Sequence, residues 1–224
     1  MKALGFEDNL WKLFEDKFSN SIFYLDTNLV IGALEPEHRL HDSVVALAET
    51  CDRLNIDLKV SNISLGELDR WKQYQKHTFE SIQGVLPSGM VDEVNSVIYE
   101  KYDKALSSEE GSVDIEELFA NFSEPKDKLA ASFGIDVTDD PWFVKTKERK
   151  EFDGCKEHVK SLKYNKKDLA AEHDALMLLW ILKLRKKDHQ DAWFITADKS
   201  LPNADLPCAE DNPDEPLALL SEAI

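Results

Sequence analysis

The chain has 224 residues, 42% of them hydrophobic and 32% charged, which supports a buried core and excludes wholesale disorder. Eight Gly and eight Pro are too few for a barrel or sandwich built on tight turns. Three scattered cysteines without a C-x-x-C spacing (Cys51, Cys155, Cys208) argue against a disulfide framework or a structural zinc site. The chain opens without a basic stretch followed by a long apolar run. Its most apolar segment, Ala175 to Leu182, is about a third of a membrane span. A soluble, cytoplasmic protein with no membrane association is expected.

In chain order, Leu10, Trp11, Phe14 and Phe18 recur at helical spacing and predict an amphipathic helix over 8–18. Ile22–Phe23–Tyr24–Leu25 is a continuous apolar run, the pattern of a strand buried on both faces, and it stops at Asp26–Thr27–Asn28. Val44, Leu47, Ala48, Cys51 and Leu54 mark one face of a second helix over 40–54. A short strand over 57–60 follows. Ser61–Asn62–Ile63–Ser64 then has the composition of a helix start, leading into Leu65–Gly66–Glu67–Leu68.

Residues 79–164 read differently. Helices are predicted over 90–106, 113–122 and 126–133, joined at Gly111, Pro125 and Gly134, and the segment is expected to be a helical insertion or subdomain. A strong helix returns over 168–186. The strand Asp191 to Thr196 follows, ending at Ala197–Asp198. The acidic, proline-rich stretch 205–216 predicts a surface loop, with the apolar end Leu217 to Leu220 docking back. Strand, helix, strand and helix in this order imply an α/β core with a central parallel sheet. That core is expected to comprise 1–78 and 165–224.

Charge is sharply segregated. The net charge of −17 opposes a nucleic-acid partner on average. Residues 145–167, however, carry nine Lys/Arg against four acids, and Lys183 to Lys187 adds four more cations without an acid. Lys145, Lys147, Arg149, Lys150, Lys163, Lys166, Lys167 and Arg185 are therefore candidates for guiding a polyanion, the other reading being solvated helix faces.

Two apolar strands end in an acid, Asp26 and Asp198, and the crevice of an open α/β sheet lies outside the carboxyl ends of its strands. Glu67 and Asp174 sit early in helices and can reach the same crevice. Converging carboxylates need a compensating cation, and hard oxygen donors suit Mg²⁺ or Mn²⁺. Such an ion supports phosphodiester hydrolysis without a nucleophilic side chain.

Ile22 to Ile31 resembles the opening strand and first acid of PIN-domain ribonucleases. Ser61 to Leu68 resembles the segment carrying their second acid, His173–Asp174–Ala175–Leu176 the third, and Phe194 to Leu201 the fourth. The resemblance covers a little under half of the chain. It departs in the long separation between Glu67 and Asp174, which the helical insertion would fill.

The resemblance implies a three-layer α/β/α PIN-like fold and an Mg²⁺- or Mn²⁺-dependent endoribonuclease. Asp26 and Asp198 would hold the metal, Asp174 would complete the set or bind a second ion, and Glu67 would position the attacking water. Asn28 and Thr196 would orient a carboxylate or a water. The implied substrate is single-stranded or structured RNA, or else DNA. The implied settings are a toxin, a defence system or RNA processing, with an antitoxin-like or defence-system protein partner or a homodimer. A PIN-fold binding module of weak activity is the alternative. A haloacid-dehalogenase phosphatase would need a second Asp where Asn28 stands. His173 reads as a helix-surface residue or a phosphate contact. Trp71, Trp142 and Phe143 read as core aromatics or as base-stacking platforms.

Overall fold

The computed structural model describes residues 12, 14–82, 97–106, 114–164, 166–202 and 216–220. Lys12 and residues 14–18 form the described part of helix α1; the rest of the helix predicted over 8–18 lies outside the described residues. The elements that follow are β1 (Ile22–Leu25), α2 (Thr27–Leu34), α3 (His41–Leu54), β2 (Asp57–Ser61) and α4 (Asn62–Ile82). Next come α5 (Val97–Leu106), α6 (Ile115–Leu118), a 3₁₀ turn (Ala120–Phe122), α7 (Pro125–Phe133) and β3 (Asp136–Thr138). Then α8 (Trp142–Lys147), α9 (Lys150–Ser161), α10 (Asp168–Lys187), β4 (Ala192–Thr196) and β5 (Ala218–Leu220) complete the described chain.

The five strands form one sheet in the order β3-β2-β1-β4-β5, and every neighbouring pair is parallel. From β1 the chain adds strands on one side and then crosses to the other. The order reverses between β1 and β4, where the crossover helices leave the sheet on opposite faces. A crevice at the carboxyl ends of those two strands follows from that topology.

Alternation along the central strands divides the core. Phe23 and Leu25 of β1, Leu58 and Val60 of β2, and Trp193 and Ile195 of β4 belong to one buried cluster with α2, α3 and α7. Tyr24, Ala192 and Phe194 face the other cluster, built largely from α10 with Phe143, Phe152, Cys155 and Val159 of α8 and α9. A period of two buried on both sides produces the unbroken apolar runs seen in the sequence. Burying a side chain such as Phe23 or Leu25 stabilises the fold by roughly 1.5–3 kcal/mol. The protein is thus a three-layer α/β/α structure, as expected. None of the helices among the described residues is long and apolar enough to cross a membrane.

The segment 79–164 is more closely integrated than a separate helical insertion. Its first boundary falls inside α4, which continues to Ile82. It also supplies β3, the edge strand beside β2, which helical periodicity did not foreshadow. Three residues suffice there because an edge strand needs a ladder partner on one side only. Phe79, Ile98, Tyr99, Phe122 and Leu129 enter the first core, and Phe143 and Val159 the second. The end Leu217 to Leu220 does dock back, pairing with β4 as β5. All but the last residue of the acidic stretch 205–216 lies outside the described residues.

One buried ion pair ties α5 to the core. The Glu35 side chain, fully buried just after α2, meets Lys101 Nζ at 2.5 Å and accepts from Asn121 Nδ2 at 3.3 Å. Removing one partner of a buried pair leaves an uncompensated charge, whereas replacing both with groups of similar shape costs far less. Lys101→Met is expected to lower stability by about 3 kcal/mol in urea unfolding, and Glu35→Gln/Lys101→Met to recover most of it. A Lys101→Met protein as stable as the wild type would show that this clamp does not hold α5.

Candidate functional site

Asp26 follows β1 at the N-cap of α2, yet its side chain makes no capping hydrogen bond. Its backbone N–H is bound to Ile195 O, so the carboxylate is set by pairing with β4 and turns toward the crevice. Thr196, the last residue of β4, donates from Oγ1 to Asp26 Oδ2 at 2.7 Å. The same hydroxyl accepts the backbone N–H of Asp198 at 2.9 Å. One threonine therefore registers both strand-end acids.

Glu67 reaches the site from the second turn of α4. Ser61 Oγ accepts the N–H of Ser64 at 3.1 Å, capping the start of that helix as its composition predicted. Thr27 Oγ1 donates to Glu67 Oε2 at 2.6 Å. Asp174 arrives from the second turn of α10, with His173 beside it. His173 is 3% exposed, which overturns its reading as a surface residue. His173 belongs to the run Ala171 and His173 to Leu178 that α10 buries, whereas neighbouring Glu172 stays partly exposed. The ring Nδ1 lies 3.2 Å from both Glu67 Oε2 and Asp174 Oδ1. Nε2 lies 3.0 Å from Ser64 Oγ, which in turn contacts Ser61 Oγ at 2.8 Å.

Lys166, just before α10, closes the constellation. Its Nζ lies 2.5 Å from Asp174 Oδ2 and 3.1 Å from Asp198 Oδ2, and its side chain is only 4% exposed. Its expected role as a surface guide is corrected accordingly: the ammonium is consumed inside the site. Asp198 also accepts from the N–H and Oγ of Ser200 through Oδ1, so it serves the turn and the cleft at once. Lys163 Nζ stands 3.4 Å from Asp198 Oδ2.

Asp26, Thr27, Glu67, Lys163, Lys166, Asp174 and Asp198 line one cleft of about 330 Å³, completed by Asn28, Ile31, Trp71, Lys167 and Ala170. Asn28 is exposed at its wall. Trp71 lines the cleft while its ring packs on Phe122 at 5.2 Å. Phe143 is buried in the core and the partly buried Trp142 packs against it, both rings lying tilted on Trp180. Lys145, Lys147, Arg149 and Lys150 are exposed on α8 and at the start of α9, with Lys147 paired to Glu172. Arg185 is placed elsewhere. It donates to Ala192 O and Pro216 O and covers the Trp193 ring, at the opposite end of β4 from the cleft. It braces the sheet, away from any strand the cleft would guide.

Burial and the neighbouring Asp174 push the Asp26 carboxyl up from 3.8 to about 6, against the lowering effects of His173 and the Thr196 hydroxyl. Burial lowers His173, but hydrogen bonding to Asp174 and the charges of Glu67, Asp174 and Asp26 prevail and raise it to about 9. Burial raises Asp198, but Ser200 and Lys166 outweigh it and hold it near 2. Asp26, Glu67 and His173 each offer one ligand atom within 4.8 Å of the others. The carboxylates are hard oxygen donors of the kind that suit Mn²⁺ or Mg²⁺, and His173 would join them only as the neutral imidazole, after releasing the proton its acidic neighbours hold to about pH 9. Sequence reasoning left Thr27 and Ser64 out of the site and gave His173 no place among the carboxylates, because these residue types carry no spacing signal of their own.

The fold and cleft together define an α/β/α protein with an acidic site at the switch point of its sheet. Comparison with protein-family models, curated proteins and solved structures finds no match to this chain.

Linkage gives two separate pH windows. Between about pH 4 and 6 the folded state retains an Asp26 proton that the unfolded chain has released, so this group costs stability as pH rises. His173 acts similarly at higher pH: its contribution is full below 6.5 and lost as pH rises through 9. In EDTA, Asp26→Asn is expected to unfold at higher urea than the wild type at pH 7, by about 2 kcal/mol, with the gap closing at pH 4. Equal stability at pH 7 would mean that the carboxylate is not under the strain described.

Proposed function

We propose that the chain is a divalent-metal-dependent nuclease of the PIN type, hydrolysing phosphodiester bonds in RNA. The observation that carries this reading is the convergence of Asp26, Glu67, Asp174 and Asp198, from four separate elements, on one cleft at the switch point. Asp26 and Glu67 would hold the ion, with His173 joining as a ligand once its proton is released. When bound, a divalent cation supplies positive charge at the scissile phosphate and makes a water nucleophilic near neutral pH. Thr196 keeps the Asp26 carboxylate aimed into the cleft, and Thr27 does the same for Glu67. Lys163 and Lys167, both lining the cleft, would meet backbone phosphates. Trp71 in the wall and Tyr74 at the next turn of α4, with Lys167 Nζ 5.1 Å over its ring, offer aromatic faces to unpaired bases.

Buried free thiols at Cys51 and Cys155 suit a reducing cytoplasm, which is the proposed location. A role in defence or RNA processing, beside a protein partner or a second copy, is proposed ahead of a stand-alone toxin because the chain is long.

One observation favours a second reading. Lys166 and His173 already compensate much of the acidic charge, as they would in a PIN-fold RNA- or protein-binding module of weak activity.

Labelled single-stranded RNA, single-stranded DNA and structured RNA, incubated with Mn²⁺, Mg²⁺ or EDTA, separate the two. Metal-dependent cleavage of RNA is expected, reduced more than about 100-fold in Asp26→Asn and Asp198→Asn. Thr196→Val, which loses only the orienting hydroxyl, is expected to lose about 10- to 100-fold. Cleavage that persists in EDTA or in Asp26→Asn would overturn the nuclease reading. Absence of both cleavage and a Mn²⁺-induced thermal shift would favour the binding module.

A further inference from the structure

We infer that Lys166 is a tethered cation standing where a second divalent ion would otherwise bind, so that the cleft accepts a single ion. The inference rests on the metal-site reading above and concerns how many ions that site takes. Two-metal hydrolases hold their ions roughly 3.5–4 Å apart, bridged and flanked by carboxylates. Here the four acids fall into two groups by what compensates them. Asp26 and Glu67 gather with His173 into the ligand group. Asp174 and Asp198 are joined by the Lys166 ammonium, which lies within 3.1 Å of an oxygen on each.

Geometry fixes that ammonium in place. Lys166 N–H donates to Lys163 O, and Ala171 N–H to Lys167 O, so the backbone on either side is anchored to a turn and to the first turn of α10. The side chain is 4% exposed. Leaving would strip Asp174 and Asp198 of their shared donor and open the wall of the cleft. A lysine is a compact point charge with three donors, able to bridge carboxylates as a small cation does. A divalent ion entering between Asp174 and Asp198 would meet it at contact distance, where like charges repel strongly in a partly desolvated site.

The arrangement also makes Lys166 a positioning residue. It holds Asp174 Oδ2 while Asp174 Oδ1 faces His173 Nδ1. The ammonium therefore orients, through one carboxylate, the imidazole that faces the remaining ion place.

Counting bound Mn²⁺ on the full-length chain tests this, by electron paramagnetic resonance of free ion during titration. The wild type is expected to bind one Mn²⁺, Lys166→Arg one, and Lys166→Met two. Without metal, Lys166→Met should melt below the wild type, and excess Mn²⁺ should restore it, because an ion then takes the ammonium's place. Should the methionine variant not fold, Lys166→Gln keeps a hydrogen-bond donor without the charge and is expected to bind two. Two ions in the wild type, or one in folded Lys166→Met or Lys166→Gln, would overturn the tethered cation and leave the metal site standing. No Mn²⁺ bound by any form would instead overturn the metal site itself.

Discussion

Like charges gathered at the carboxyl ends of β1 and β4 are the constraint around which this molecule is arranged. Four carboxylates share one cleft, and their mutual repulsion has to be answered locally before the fold is stable. The answer comes from Lys166 between Asp174 and Asp198 and from His173 between Glu67 and Asp174. Hydroxyls complete it. Thr196 donates to Asp26, Thr27 to Glu67 and Ser200 to Asp198, while Ser64 contacts the far side of the imidazole. Thr196 ends a strand, Thr27, Ser64 and His173 lie in the opening turns of helices, and Lys166 and Ser200 lie in the short connections beside them.

Chain order explains how residues so distant in sequence meet. Pairing of β1 with both β2 and β4 brings the starts of α4 and α10 together at the carboxyl ends of the strands. Glu67 and Asp174 therefore reach Asp26 from two different helices. The two cores hold this level. Phe23, Leu25, Trp193 and Ile195 secure one face, and Tyr24, Phe194 and the apolar body of α10 the other. A shift of one residue in the β1–β4 register would exchange these faces and separate Thr196 from Asp26. Positional accuracy in the cleft thus derives from apolar packing some distance beneath it.

The basic residues illustrate how far identity is from role. Lys163, Lys166, Lys167 and Arg185 look alike as a surplus of cations, but the fold assigns them to different tasks. Lys166 is buried among carboxylates, Lys163 and Lys167 remain at the cleft, and Arg185 binds carbonyls at the far end of β4. Segregated charge in the sequence consequently overstates the positive surface available to a polyanion.

The sequence by itself determined the central architecture and the four acids. Two unbroken apolar runs, each stopping at an aspartate, can be read locally because burial on both faces and a strand-end acid leave a short contiguous signature. The helix start at Ser61 and the apolar stretch of α10 were legible for the same reason. Only the tertiary structure decided that Asp136–Thr138 is an edge strand, that segment 79–164 belongs to both cores, and that His173 is buried. It alone made Lys166 an internal counter-ion. Those outcomes depend on electrostatic and packing partners up to about a hundred residues away, and such long-range pairing leaves no periodicity or spacing in the chain that carries it.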